Sequence, residues 1–205
     1  KAKDLKSFGS AKVCEREGTT TQQNLQELIK SAYPNLIPVT FQSAKGLMEG
    51  LYLRKCDLMT ADRAILATTR LSSGATKERF VFLPEIVSKE PLGLTVRDDD
   101  SQWFNIVHWS MLVMITAEEK GITSKNVDSF ANSTDPEIRR LLGYEGGLGA
   151  ALGLDKEWAK RIIRSVGNYG EVFDRNLGPN TPMGMERGLN ALWSKGGLMY
   201  APPVR

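Results

Sequence analysis

The sequence predicts an α/β protein: a small doubly wound parallel sheet followed by a mostly helical carboxy-terminal segment. Three observations carry this expectation. Over the first ninety residues, short β-branched or apolar runs alternate with longer amphipathic ones. Turn residues such as Gly9-Ser10, Gly18, Tyr33-Pro34-Asn35 and Ser72-Ser73-Gly74 separate those runs. After Arg97 the apolar spacing becomes helical, and residues 138–200 hold no strand-like run.

Taken in order, a turn at 7–10 leads into a first strand at 11–14. Thr19 or Thr20 caps a helix running to about residue 32, with Leu25, Leu28 and Ile29 on its apolar face. Tyr33-Pro34-Asn35 stops it. A β-branched strand at 37–41, a helix at 43–53, a strand at 56–60 and a helix at 62–71 complete a β-α-β-α-β-α order. That order favours a parallel sheet with crossover helices. Two further strands are expected at 80–83 and 92–97, the latter entered through Pro91. Asp98-Asp99-Asp100-Ser101 then places negative charge at the start of a helix to about residue 120. Phe104, Val107, Met111, Met114 and Ile115 would form its apolar face. Asp135-Pro136 opens a helix ended by Gly143, and Asp155 opens another through Trp158, Ile162 and Val166.

Composition narrows the function classes. The 205 residues carry a net charge of only +3 with dispersed lysines and arginines, which gives a nucleic-acid partner no basic stripe to use. The longest apolar stretch, 103–117, is broken by Asn105, His108 and Ser110 and is too polar for a membrane span. Lys1-Ala2-Lys3-Asp4-Leu5-Lys6 has no signal-peptide apolar core, as a mature secreted protein also would not. No metal or cofactor is expected, because one histidine and two separated cysteines give no ligand spacing. His108 lies mid-helix, too far from the sheet's carboxyl edge for a catalytic triad, so no enzyme activity is expected. Cys14 and Cys56 stand on strands expected to be neighbours. One disulfide, implying an oxidising compartment, and two buried free thiols are both open readings.

The most informative stretches are Cys14-Glu15-Arg16-Glu17-Gly18-Thr19-Thr20-Thr21 and Cys56-Asp57-Leu58-Met59-Thr60-Ala61-Asp62. In the first, a strand passes through a glycine turn into a helix start, where backbone N–H groups and three hydroxyls suit a carboxylate or phosphate. The second puts an aspartate just past a strand's carboxyl end, where ligands sit in open α/β sheets. An anion cradle beside a lone carboxylate matches the two charges of a free α-amino acid. Gly18, Thr19, Thr20, Thr21 and Asp62 are therefore the candidate binding residues. The plainer account of each is helix capping. Arg63 and Arg70 read as solvated, the four tryptophans as packing anchors, and the glycines at 167–170 and 196–197 as turn punctuation.

The blocks Glu17-Gly18-Thr19-Thr20-Thr21, Leu83-Pro84-Glu85-Ile86-Val87-Ser88-Lys89-Glu90-Pro91-Leu92-Gly93, Arg139-Arg140-Leu141-Leu142-Gly143, Val166-Gly167-Asn168-Tyr169-Gly170-Glu171 and Gly196-Gly197-Leu198-Met199-Tyr200-Ala201-Pro202-Pro203 occur in one order. In these blocks the chain resembles the later two-thirds of a periplasmic amino-acid-binding protein, the solute receptor of an ABC uptake system. The general L-amino-acid receptors are the nearest group. The resemblance implies two domains: residues 1–92 as the second ligand-binding lobe, and 93–205 as a returning hinge with a helical segment that would pack on the first lobe. It implies that Thr19 and Thr20 hold the ligand α-carboxylate, that Thr21 closes the helix turn, and that Asp62 takes the α-ammonium. The family's opening segment, which builds most of the first lobe and supplies a carboxylate-clamping arginine, has no counterpart here. The expected function is capture of a free L-amino acid in the periplasm for a membrane permease. The alternative is a half-receptor without autonomous binding, acting as an interaction module, self-associating, or completed by a first-lobe segment from another chain.

Overall fold

The computed structural model describes residues 4–74 and 79–204. Lys1-Ala2-Lys3, read above as part of the amino terminus, lie outside the described residues. The chain divides into two compact units, Lys1–Leu92 and Gly93–Arg205.

The first unit is built on three parallel strands in the order β2-β1-β3: β1 (Ala11–Arg16), β2 (Leu36–Phe41) and β3 (Leu58–Met59). Helices α1 (Thr20–Ser31), α2 (Ala44–Tyr52) and α3 (Arg63–Ser72) follow the strands in turn. The predicted α/β class and parallel topology are thus present. Strand β3 is shorter than expected, yet its flanks still reach β1: Asp57 N–H donates to Lys12 C=O (2.9 Å) and Thr60 N–H to Cys14 C=O (3.3 Å). The turn expected at 7–10 overlaps the end of a 3-10 turn, Leu5–Phe8, capped by the Asp4 carboxylate.

Alternation along β1 sends its side chains to two cores. Ala11 and Val13 pack with Leu25 of α1, Leu5 and Leu36 on one face. Cys14 packs with Leu47 of α2 and Cys56 on the other. A chain that crosses from β1 to β2 and back past β1 to β3 must place its two crossovers on opposite faces, because both are right-handed. Cys14 and Cys56 are joined, with Cα atoms 5.6 Å apart and both residues buried.

The strands expected at 80–83 and 92–97 do not form. A strand needs a neighbour to take its N–H and C=O groups, and neither segment finds one among the described residues. Pro84 and Pro91 also remove donors. The extended segment is held by side chains instead. Leu83 and Val87 lie against the α1-side core, and the Glu85 carboxylate accepts Leu5 N–H at 2.8 Å.

The second unit contains α4 (Ser101–Glu119), α5 (Pro136–Leu141), α6 (Leu148–Ala151), α7 (Trp158–Val166) and α8 (Tyr169–Asn176). Its core gathers Val113, Ile122, Leu142, Trp158 and Ile163. The apolar face assigned to α4 is only partly right. Burial follows position along the helix rather than one side of it: Val113, Ile115, Thr116 and Ala117 are buried, whereas Trp103 and Phe104 are each 52% exposed. Of the tryptophans, Trp158 is the buried anchor, while Trp193 lies exposed with its indole N–H on Glu119 (2.9 Å). The glycines at 167–170, turn punctuation in the sequence, instead lead into α8, whose first turn holds Gly170. Its start signal is the capping box of Asn168 and Glu171, each side chain bonding the other's backbone N–H. Gly143 is required where it stands: a Cβ there would lie 1.8 Å from the Lys156 carbonyl oxygen, and its φ is +77°.

Two predictions follow from these ties. The disulfide closes a sequence separation of 42 residues, so reduction should destabilise the first unit by about 4 kcal/mol in the chain-entropy account. Urea unfolding with and without reductant, followed by hydrogen exchange of the β1 amides, measures this. The Glu171 carboxyl is pushed up by burial, but bonds from the Ser124 hydroxyl and from the Asn168 and Ser124 N–H groups outweigh that and hold its pKa below the ordinary glutamate value. A depressed folded pKa stabilises the native state above the unfolded pKa and loses that contribution as pH falls through the folded one. The second unit should therefore lose stability below about pH 4.5. Glu171→Gln should flatten that part of the pH–Tm profile.

Candidate functional site

Strand β1 ends at Arg16, and Glu17 N–H makes a last bond to Phe41 C=O (2.9 Å) before the chain turns away. Gly18 takes φ +69°, a left-handed value that a side chain would resist. The turn then feeds α1 with Thr19 as its N-cap. Thr19 Oγ1 donates to Arg16 C=O (2.8 Å) and accepts from Gln22 N–H (3.3 Å). Its hydroxyl is therefore occupied with capping, as the plainer account required. The N–H groups of Thr19, Thr20 and Thr21 have no acceptor among the described residues, as expected at a helix start. Thr20 is exposed, and its hydroxyl makes one long bond, 3.4 Å, to Glu90. Gly18 N–H is already engaged, by Gln22 Oε1 at 3.0 Å.

Asp62 follows β3 by three residues and stands at the N-cap position of α3. Unlike Thr19 it makes no side-chain capping bond, and its half-buried carboxylate has no partner among the described residues. Because β1 and β3 are parallel neighbours in register Cys14 to Met59, the turn at 18–21 and Asp62 both leave the carboxyl edge of one sheet, on adjacent strands. The sheet thus brings a cluster of open N–H donors and an open carboxylate to one edge. Such a pair can hold a small zwitterion: the donors and the α1 macrodipole favour an anionic group, and Asp62 an ammonium.

Several residues at this edge were not singled out in the sequence. Glu90 receives Asn24 Nδ2 at 2.6 Å as well as the Thr20 hydroxyl, which pins the end of the extended segment to the first turns of α1. Its signal, a charged residue just before Pro91, carries no information about a partner 66 residues away. Glu15 is legible as a charge at an inward position of the central strand, and Thr40 and Gln22 bind it. Arg63 and Arg70, read as solvated, stack their guanidinium groups over the Phe82 ring at 5.6 and 4.6 Å. His108 is stacked on Phe104 in the second unit (5.7 Å). No cluster of metal-ligating side chains occurs among the described residues. No described helix is long and apolar enough to cross a membrane.

Thr19 and Asp62 occupy equivalent cap positions but do different work there, which separates them by stability. Thr19→Ala should cost about 1 kcal/mol through the lost cap. Asp62→Ala should cost no more than about 0.5 kcal/mol, the macrodipole contribution alone. Paired urea titrations of the two variants test this.

No family model matches the chain. It is 45% identical over 205 residues to the general L-amino acid-binding periplasmic protein AapJ of Rhizobium johnstonii, covering 99% of this chain and 60% of that protein. It is 46% identical over 201 residues to the glutamate/glutamine/aspartate/asparagine-binding protein BztA of Rhodobacter capsulatus, covering 98% and 59%. A third relative, the putative amino-acid ABC transporter-binding protein YhdW of Escherichia coli, is 44% identical over 208 residues. Among solved structures, an ABC transporter periplasmic binding protein from Brucella ovis with glutathione bound superposes with a TM-score of 0.89 at 42% identity, covering all of this chain and 64% of that one. The chain therefore spans about three-fifths of the length of the curated relatives it matches.

Proposed function

We propose, from the homology of this chain over almost its whole length to periplasmic amino-acid-binding proteins of ABC transporters, that it binds the α-amino-acid head group of a small solute. The observation that carries the reading is the shared sheet edge: Thr19, Thr20, Thr21 and Asp62 follow adjacent parallel strands. The free N–H groups of the three threonines and the Thr20 hydroxyl take the ligand α-carboxylate. Asp62 takes its α-ammonium. Gly18 supplies the turn rather than a donor, since its N–H is engaged within the chain. Free L-amino acids are the proposed substrate class, delivered to a membrane permease after closure of the binding protein around them. Residues that complete the enclosure would come from the part of the relatives that this chain does not span. No enzymatic step is proposed, in keeping with relatives that are binding proteins. The periplasm is the proposed compartment, supported by the relatives' names and by the Cys14–Cys56 bond, which needs an oxidising environment.

The glutathione-bound neighbour favours a wider reading of the same site. The γ-glutamyl end of glutathione keeps a free α-ammonium and α-carboxylate on one carbon. It offers the same two charges as a free amino acid, with a longer side chain.

A second reading is that these 205 residues do not bind ligand by themselves, since they span about three-fifths of the relatives' length. Open to water, two charge contacts are worth far less than in an enclosed site.

Calorimetry of this chain with the twenty common L-amino acids and with glutathione separates these readings. Heat with at least one α-amino compound is the expected result, with affinity weakened about ten- to a hundredfold by Asp62→Ala, the loss of one charge-assisted bond. Equal affinity for the ligand and its des-amino analogue would overturn the head-group reading. Silence with every compound would select the second reading.

A further inference from the structure

Beneath the turn at 18–21 lies a charge that stability alone does not account for. Glu15 is 1% exposed on the central strand, two residues after Val13, which packs on the same face in the α1-side core. No cation pairs with it among the described residues, and its Oε2 is buried without a hydrogen-bond partner. A carboxyl in such a place carries a desolvation cost that an apolar residue would avoid. Its other oxygen is fully used. Glu15 Oε1 accepts from Thr40 Oγ1 at 2.9 Å and from Gln22 Nε2 at 3.2 Å.

The bond to Gln22 fixes more than one side chain. A carboxylate oxygen accepts and cannot donate, so the amide of Gln22 must turn its NH2 group inward to meet it. Its carbonyl oxygen then faces the turn, where Gly18 N–H donates to it at 3.0 Å. Gln22 N–H meanwhile holds the Thr19 hydroxyl. One glutamine on the first turns of α1 thus grips both residues at the base of the turn, and Glu15 on one side and the Gly18 N–H on the other hold it the same way round. With Gly18 N–H drawn inward, the N–H groups of Thr19, Thr20 and Thr21 remain as the open set.

We propose that Glu15 is a positioning residue for the anion-binding half of the site: through Gln22 it sets the Gly18 turn, and so the direction of the free threonine N–H groups. The inference takes its meaning from the function proposed above, but its first test needs no ligand. In amide-resolved NMR of the whole chain, Glu15→Leu and Gln22→Met should each speed Gly18 amide exchange by roughly fivefold or more, the size of one ordinary hydrogen bond. Both should also shift the Thr19, Thr20 and Thr21 amides while leaving the amides of the second unit in place. Glu15→Gln, which keeps an acceptor toward Gln22 and Thr40, should restore both signals. Unchanged Gly18 exchange in Glu15→Leu, or a Glu15→Gln variant as disturbed as Glu15→Leu, overturns the proposal. Gln22→Met supplies the same readout while leaving the buried carboxyl itself unsubstituted, in case Glu15→Leu fails to fold. L-Glutamate added to wild type and Glu15→Leu forms the second arm. Threonine amide shifts in wild type that need about tenfold more L-glutamate in the variant extend the role to binding. An equal response in both overturns it for binding. No shift in wild type counts against autonomous binding of this amino acid and leaves the Gly18 result to decide Glu15.

Discussion

Two backbone hydrogen bonds, Asp57 N–H to Lys12 C=O and Thr60 N–H to Cys14 C=O, set the geometry on which the candidate site depends. They bracket a strand only two residues long and hold it parallel to β1. A register slip of one residue would turn every side chain of β3 to the other face and move Asp62 along the sheet edge. So short a ladder has little resistance of its own. The Cys14–Cys56 bond crosses between the same two segments on the α2 side, and fastens by covalent means a pairing that hydrogen bonds alone would hold weakly.

The turn at the carboxyl end of β1 has a divided economy of polar groups. The side chain of Thr19, the amide of Gln22 and the N–H of Gly18 are consumed in building the helix start. What is left over is three N–H groups, the weakly engaged hydroxyl of Thr20 and the hydroxyl of Thr21. Capping and the proposed ligand contact would therefore draw on different groups of one structure, since the groups that cap are different from those that remain open. Asp62 is the contrasting case: it occupies a cap position, and its carboxylate leaves the cap unmade.

Much of this was legible in the residues. The alternation of runs in the first unit reports β1, β2 and the three helices directly, because each element buries one face and its period shows. Candidate residues could be named because both sit just past a strand's carboxyl end, a position that topology makes special. Where the reading failed, the deciding partner lay far off in sequence. The runs at 80–83 and 92–97 have strand composition but, among the described residues, no neighbour to pair with. Phe104 fits an apolar stripe and Trp103 reads as a packing anchor, yet both lie at the end of α4 that its own core does not reach. Helix α8 was hidden by Gly167 and Gly170, whose small size admits the close approach of Glu171 and of the Glu118–Arg187 pair. The network under the site, from Glu15 to Thr40, joins residues 25 apart and has no local pattern at all.

The placement of the indole rings has an optical consequence. All four tryptophans, Trp103, Trp109, Trp158 and Trp193, belong to the second unit, and the first has none. Light absorbed and emitted near the red edge of the protein's ultraviolet spectrum thus reports on the helical half alone. The candidate site lies in a half that is dark at those wavelengths, so a single tryptophan introduced near its rim would be an isolated lamp, readable against no background from its own unit.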